Sequence, residues 1–223
     1  MTILSNTHDL EEEIPPIPTN CDARRGVMFI GSFNHPPNRQ AIITFIEDML
    51  PLVLERLPAK YKADFMFNII GSDDVPKDLI SMFENNKRYV KFHGYLPEED
   101  VHAMFQNVKV FAAPLLSGAG VKGKVNQAMK YGLPVVGTPI AFEAMFPTDG
   151  EDCMVATTPE QFADKLVQAY TDCALWAKLV RGGFINVRKN FGLKTARERL
   201  LQTLDLVDIR PRTEQARCEV SDD

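Results

Sequence analysis

The stretch 111–138, FAAPLLSGAGVKGKVNQAMKYGLPVVGT, constrains the fold more than any other part of the chain. An apolar run at 108–113 ends in Pro114. A small-residue loop with Ser117, Gly118, Ala119 and Gly120 follows, and a helical pattern then runs from about Lys122 to Tyr131. Within it Val125, Ala128 and Met129 recur at the spacing of one buried helix face, and Gly132 stands where a left-handed C-terminal cap is wanted. Pro134, Val135 and Val136 open a second short apolar strand. The unit is strand, loop, helix, strand, with glycines at the amino end of the helix, where unpaired N–H groups and the helix dipole attract an anion. Lys122 and Lys124 add positive charge there. The same glycines suit a plain tight turn, and first-turn lysines are often only solvated. The loop alone therefore leaves a phosphate site and a bare turn both open.

Composition narrows the surroundings of this unit. A chain of 223 residues, 45% hydrophobic, can bury a sizeable core, and a single α/β domain is expected. The net charge of -5 and pI near 5.5 give no electrostatic footprint for nucleic acid; the one basic concentration is at 178–189. Cys21, Cys153, Cys173 and Cys218 form no C-x-x-C pair, so neither a zinc site nor a disulfide framework is indicated, and reduced thiols in a cytosol are expected. The amino terminus carries Glu11, Glu12 and Glu13 where a signal peptide would be apolar, and no segment approaches ~18 uninterrupted apolar residues. A cytoplasmic location without a membrane span is the expectation.

Strand and helix patterns alternate along the chain. Residues 1–25, acidic and proline-rich, read as a linker-like or disordered arm. Strands are predicted at 26–32, 64–70, 89–93, 108–113, 134–137 and 154–156. Helices are predicted at 39–57 (kinked or restarted at Pro51), at 76–85 with Leu79, Ile80 and Phe83 inward, at 98–106, at 159–171, at 174–191 and at 195–207. Residues 209–223 read as a disordered tail. This order predicts an α/β fold: a single Rossmann-like domain over 26–208, with a mostly parallel sheet of about six strands flanked by helices and a helical carboxyl-terminal segment.

In such a sheet ligands bind beyond the carboxyl ends of the strands. Four loops there are small or glycine-bearing: Gly31 with Ser32, Gly71 with Ser72, Gly94 with Tyr95, and 117–120. No P-loop fingerprint is present, and neither a dinucleotide nor a flavin cofactor is expected. His35, in the NHPPN turn, is either a ligand or part of a rigid turn, and His93 reads as a packed strand residue. Glu143 either reaches the ligand or caps a short helix. Asp149, Glu151 and Asp152 suit a solvated turn, and no metal is assigned.

Taken in order, FIGSFNHPPN (29–38), IIGSD (69–73), VKFHGYLPEEDV (90–101), VFAAPLLSGAGVKGKVNQAMKYGLPVVGTPIAFEAM (110–145) and DGEDCMVATTPEQFA (149–163) make the chain resemble the carboxyl-terminal, donor-binding domain of GT-B retaining glycosyltransferases, the glycosyltransferase group 1 family. The resemblance covers about 26–205 and implies half of a GT-B fold. It implies a UDP-sugar or GDP-sugar as substrate and no further cofactor. Donor-binding residues would be Gly31, Ser32, Asn34 and Gly71, with Gly94, Tyr95 and Leu96 near the base. Gly118, Ala119, Gly120, Val121, Lys122 and Lys124 would meet the diphosphate, Lys122 and Lys124 stabilising its charge as it leaves. His35 and Glu143 are further candidates.

Two departures stand out. The family often has two glutamates eight positions apart, the second gripping the ribose; here Ala119 and Gln127 occupy those places. About 25 residues precede the first strand, where a GT-B enzyme has its acceptor domain, so a carbohydrate, lipid or protein acceptor would need a site supplied elsewhere, for instance by a separate chain. A non-catalytic nucleotide-binding or interaction module that keeps the fold is the alternative.

Overall fold

Short apolar runs that alternate with amphipathic helices bury both faces of a sheet, and the chain does this with six strands: β1 (Val27–Ile30), β2 (Phe67–Ile70), β3 (Val90–Phe92), β4 (Val110–Ala113), β5 (Val135–Gly137) and β6 (Met154–Val155). The computed structural model describes residues 21–72 and 74–206; most of the expected arm and the whole expected tail lie outside them. All neighbouring strands are parallel, in the order β3-β2-β1-β4-β5-β6. The chain winds outward one way from β1 and the other way from β4, so the crevice between those two strands is the switch point of the sheet. Strands β1, β2 and β4 are buried on both faces almost throughout, as a doubly covered parallel sheet requires.

The helices are α1 (Pro36–Thr44), α2 (Leu50–Arg56), α3 (Ala59–Lys62), α4 (Lys77–Asn85), α5 (Glu98–Asn107), α6 (Gly123–Lys130), α7 (Pro159–Thr171), α8 (Cys173–Phe191) and α9 (Leu193–Leu206). The long helix expected at 39–57 is divided. A π turn, Phe45–Met49, separates α1 from α2, which restarts with Pro51 in its first turn, where a missing N–H costs nothing. Phe45 on that turn packs between Phe67 of β2 and Phe162 of α7, ring centroids 4.1 and 6.1 Å away.

Ile80 departs from expectation. Leu79 and Phe83 are buried, but Ile80 is 49% exposed, because α4 covers only the outermost strand and buries one narrow stripe. Leu200 and Leu201 of α9 are exposed as well.

The cysteines also depart from expectation: Cys21 and Cys173 form a disulfide, their Cα atoms 5.7 Å apart across 152 residues of sequence, a pairing that no local spacing signals. Cys153 is free and buried. The segment around Cys21 is further tied down. Arg24 donates to the carbonyls of Phe105 and Gly132 and lies over the Trp176 ring, and Asp22 pairs with the fully buried Lys109, whose ammonium sits 5.2 and 5.1 Å from the ring centres of Tyr61 and Tyr170. These contacts close the amino-terminal edge of the sheet, opposite the crevice. Among the described residues, no helix is long and apolar enough to cross a membrane.

Candidate functional site

At the carboxyl edge, β1 and β4 each hand the chain to a helix whose amino end faces the switch point. After β1, the 31–35 turn enters α1, where Pro36 and Pro37 preset the first helical turn and His35 offers no side-chain cap. After β4, the loop at 114–122 enters α6, which no side chain caps either. Gly118 and Gly120 hold φ of 110° and 77°, backbone that a side-chain-bearing residue rarely adopts, so the loop folds back towards α1. A Cβ on Gly120 would meet nothing within 4 Å; the loop is open on that side.

Between the two helix ends lies a cavity of about 300 Å³, lined by His35, Pro37, Asn38, Leu115 and 117–119 together with 121–124. Of the residues proposed from sequence, it gathers Gly118, Ala119, Val121, Lys122, Lys124 and His35 on one wall or the other. Two helix dipoles converge there with the uncapped first N–H groups of α6 and two ammonium groups, an arrangement that suits an anion; α1 itself opens on two prolines and offers no free N–H.

The two lysines do different work. Lys122 Nζ donates to the carbonyls of Gly118 at 3.2 Å and Gly120 at 2.5 Å and pairs with Glu143 at 3.3 Å, so it braces the loop and is largely neutralised. Lys124 is partly buried; its ammonium donates to Asn38 Oδ1 and stands 4.4 Å from the Phe29 ring centre. Burial first, and the charge of Lys122 second, lower its pKa to about 8. A desolvated ammonium with no carboxylate partner gains most from an incoming anion.

Asn38 was not singled out by the sequence. It is buried at the third position of α1, donates its amide to Ser32 O at 2.9 Å, and presents its oxygen to Lys124. The only sequence signal is a polar residue on the inner face of a helix start.

Gly31 fits beneath this pair: a Cβ there would lie 2.6 Å from Asn38 Nδ2 and 2.8 Å from Lys124 Nζ. Gly71 in turn abuts Gly31 O and donates its N–H to Gly94 O at 3.1 Å, so the loops after β1, β2 and β3 touch in a row. Ser32 and Ser72 hydroxyls lie 3.4 Å apart along it, and Ser32 Oγ accepts from the Asn34 N–H. Asn34, Gly94, Tyr95 and Leu96 are outside the cavity lining; Tyr95 is 70% exposed and Leu96 packs on the core.

Gln127, one turn into α6, is half-buried and outside the lining. Glu143 caps the short 3-10 turn Pro139–Phe142 with its backbone and spends its carboxylate on Lys122. His93 is half-buried beyond β3, bonded to Asn68 Oδ1 at 2.9 Å, with its pKa lowered mainly by burial.

The acidic trio is less solvated than expected. Asp152 is buried, accepting from Thr148 N and Asn186 Nδ2, because the turn is pressed against α8; Asp149 pairs with Lys165 and Glu151 with Lys178. Cys21, Asp22 and Cys173 have metal-ligand spacing, but their two sulfurs are bonded to each other.

Residues 24–172 match the family described as glycosyl transferases group 1. An uncharacterized 44.6 kDa protein in the cps region of Klebsiella pneumoniae is 25% identical over 180 residues, which cover 78% of this chain and 44% of that protein. Among solved structures, a mutant of TarM from S. aureus with Fondaparinux, alpha-GlcNAc-glycerol and UDP has a TM-score of 0.70 at 20% identity, over 89% of this chain and 38% of that one. The C-terminal domain of the glycosyl transferase group 1 family protein LpcC from Francisella tularensis has a TM-score of 0.61 at 15% identity, over 83% of this chain and 96% of that one. The chain thus spans less than half of the Klebsiella protein and of TarM, and nearly all of an isolated carboxyl-terminal domain.

Proposed function

The chain belongs to the glycosyl transferases group 1 family, and on that premise we propose that it is the donor half of a retaining glycosyltransferase that takes a nucleoside-diphosphate sugar. The observation that carries this reading is the cavity between the amino ends of α1 and α6, with the Lys124 ammonium desolvated inside it. The diphosphate would sit on the N–H groups at the start of α6 and on Lys124, while Lys122 keeps the loop in shape. In transfer, the bond from the anomeric carbon to the diphosphate oxygen breaks, an acceptor hydroxyl oxygen bonds to that carbon, and the hydroxyl proton passes to the departing diphosphate oxygen. The charge that builds on the departing diphosphate meets donors already in place. The row of loops through Gly31, Gly71 and Gly94 would carry the nucleoside, with Tyr95 at its far end. His35, on the cavity wall, would face the sugar or its phosphates.

Transfer also requires an acceptor site, and the chain covers only 44% of its Klebsiella relative. A second half, on another chain or adjoining this one, would bring a carbohydrate, lipid or protein hydroxyl to the donor. The proposed compartment is the cytoplasm. Ala119 and Gln127, neutral where carboxylates are common, favour a second reading: a module that binds a nucleotide without transferring sugar.

Calorimetry with UDP, GDP and their sugars tests the site, UDP first because the TarM structure holds it. Binding lost on Lys124→Gln supports the donor site, and no binding of any nucleotide refutes it. A sugar-transfer assay on the same sample, with the assembled second half, separates enzyme from module.

A further inference from the structure

The basic concentration at 178–189 plays no part in the donor site. With the rest of α8 and α9 it gives residues 172–206 seven Lys and Arg against three Asp and Glu, in a chain whose net charge is -5. Four of these cations border a second cavity, about 630 Å³, between α8, the middle of α9 and the 146–152 turn. Its rim carries Lys178, Arg181, Lys189 and Arg199. Lys178 is paired with Glu151, and Arg199 donates to Asn190 O; the other acid facing the cavity, Asp152, is bonded to Asn186 and the Thr148 N–H. The side chains of Arg181 and Lys189 are exposed and pair with no described residue.

Apolar groups stand beside the cations. Phe146 is 57% exposed and Ile185 is 40% exposed, both lining the same cavity. Phe146 also holds φ of 53°, two residues after Ala144 at 59°, a left-handed backbone that bulky residues avoid and that turns the ring outward. A soluble protein loses by showing an aromatic ring to water in a strained conformation, unless something apolar meets it.

We propose that this face rests on an anionic lipid surface, with lipid phosphates between Arg181 and Lys189 and with Phe146 and Ile185 entering the headgroup layer. Exposed, spread-out cations flanked by apolar side chains fit a charged bilayer, where each Lys or Arg near the surface strengthens binding and salt weakens it. A free phosphate would leave Phe146 and Ile185 still facing water.

The test is co-sedimentation of the full chain with vesicles of phosphatidylcholine alone or mixed with phosphatidylglycerol. Retention on the phosphatidylglycerol vesicles only, weakened by salt, is expected. Arg181→Gln with Lys189→Gln should lower the partition coefficient about thirtyfold, and Phe146→Ser should lower it further at high salt, where charge is screened. The charge reversals Arg181→Glu and Lys189→Glu should abolish it. The glutamine pair keeps side-chain bulk and carries the test should the reversals misfold. No retention on anionic vesicles overturns the proposal. So does equal retention on neutral ones, or binding unchanged by the glutamine pair. Displacement by millimolar inorganic phosphate at matched ionic strength reassigns the cavity to a soluble anion and equally overturns it. None of these outcomes depends on nucleotide binding.

Discussion

Lys124 donates a hydrogen bond to Asn38 Oδ1, joining the first turns of α6 and α1 across the crevice between β4 and β1. The position of this ammonium costs the fold stability rather than adding to it. Its folded pKa, about 8, lies below its ordinary value of 10.5, chiefly through desolvation. The folded state is therefore penalised whenever this lysine is charged. Between about 8 and 10.5 the unfolded chain holds the extra proton, so this group's contribution makes stability rise with pH across that window. Lys124→Met removes the penalty but strands the Asn38 oxygen. A net gain of about 1–2 kcal/mol at neutral pH is expected, turning into a small loss above about pH 10, where only the stranded Asn38 oxygen counts. Urea unfolding of both proteins across pH checks this, and a loss of stability at pH 7 would refute it.

Ligand affinity should show the opposite trend. On the proposed reading a bound diphosphate would pull the Lys124 pKa back up, so binding would be coupled to keeping that proton. Affinity for UDP should be flat from about pH 7 to pH 8 and then fall by up to tenfold per pH unit. In Lys124→Gln the profile should be weaker and flat over the same range. Calorimetry at stepped pH reads both, and a wild-type profile as flat as that of the variant would remove Lys124 from the site.

Gly31→Ala tests the packing under the same pair. The new methyl would press on Asn38, whose amide is pinned by Ser32 O, and on Lys124 Nζ. Overpacking of this kind costs about 1–3 kcal/mol and displaces the groups it touches. Nucleotide affinity should fall more than tenfold while the fold persists, as followed by calorimetry and circular dichroism. Gly150→Ala, at a left-handed position with open space around it, should cost about 1 kcal/mol without affecting nucleotide binding.

Local pattern explains what was legible beforehand. The unit at 111–138 declares itself because its signals lie within one strand, one loop and one helix, and the order of strands and helices follows from periodicity alone. The partner of Lys124 lies 86 residues away, in a turn whose prolines announce rigidity but not a ligand wall. Likewise Ile80 satisfies helical spacing, yet its exposure depends on how much sheet lies beneath α4. The pairing of Glu143 with Lys122 is also tertiary: it is fixed by the 3-10 turn after β5, which no spacing in the sequence shows.

The Cys21–Cys173 bond separates stability from function. It joins the segment before β1 to the start of α8, and Tyr170, one turn earlier, accepts from the Gly26 N–H; the bond therefore lies at the amino-terminal edge of the sheet, away from the cavity between α1 and α6. Closing a loop of 152 residues restricts the unfolded chain by about 5 kcal/mol in the chain-entropy picture. Cys173→Ser should lower the unfolding free energy towards that amount and leave UDP affinity unchanged. A reducing agent should reproduce the loss in the wild type and do nothing to the variant. Because Arg24 and Lys109 hold the same segment through independent contacts, the folded structure should survive the loss. If reductant lowered nucleotide affinity at a temperature where the fold is intact, the two edges of the sheet would be coupled.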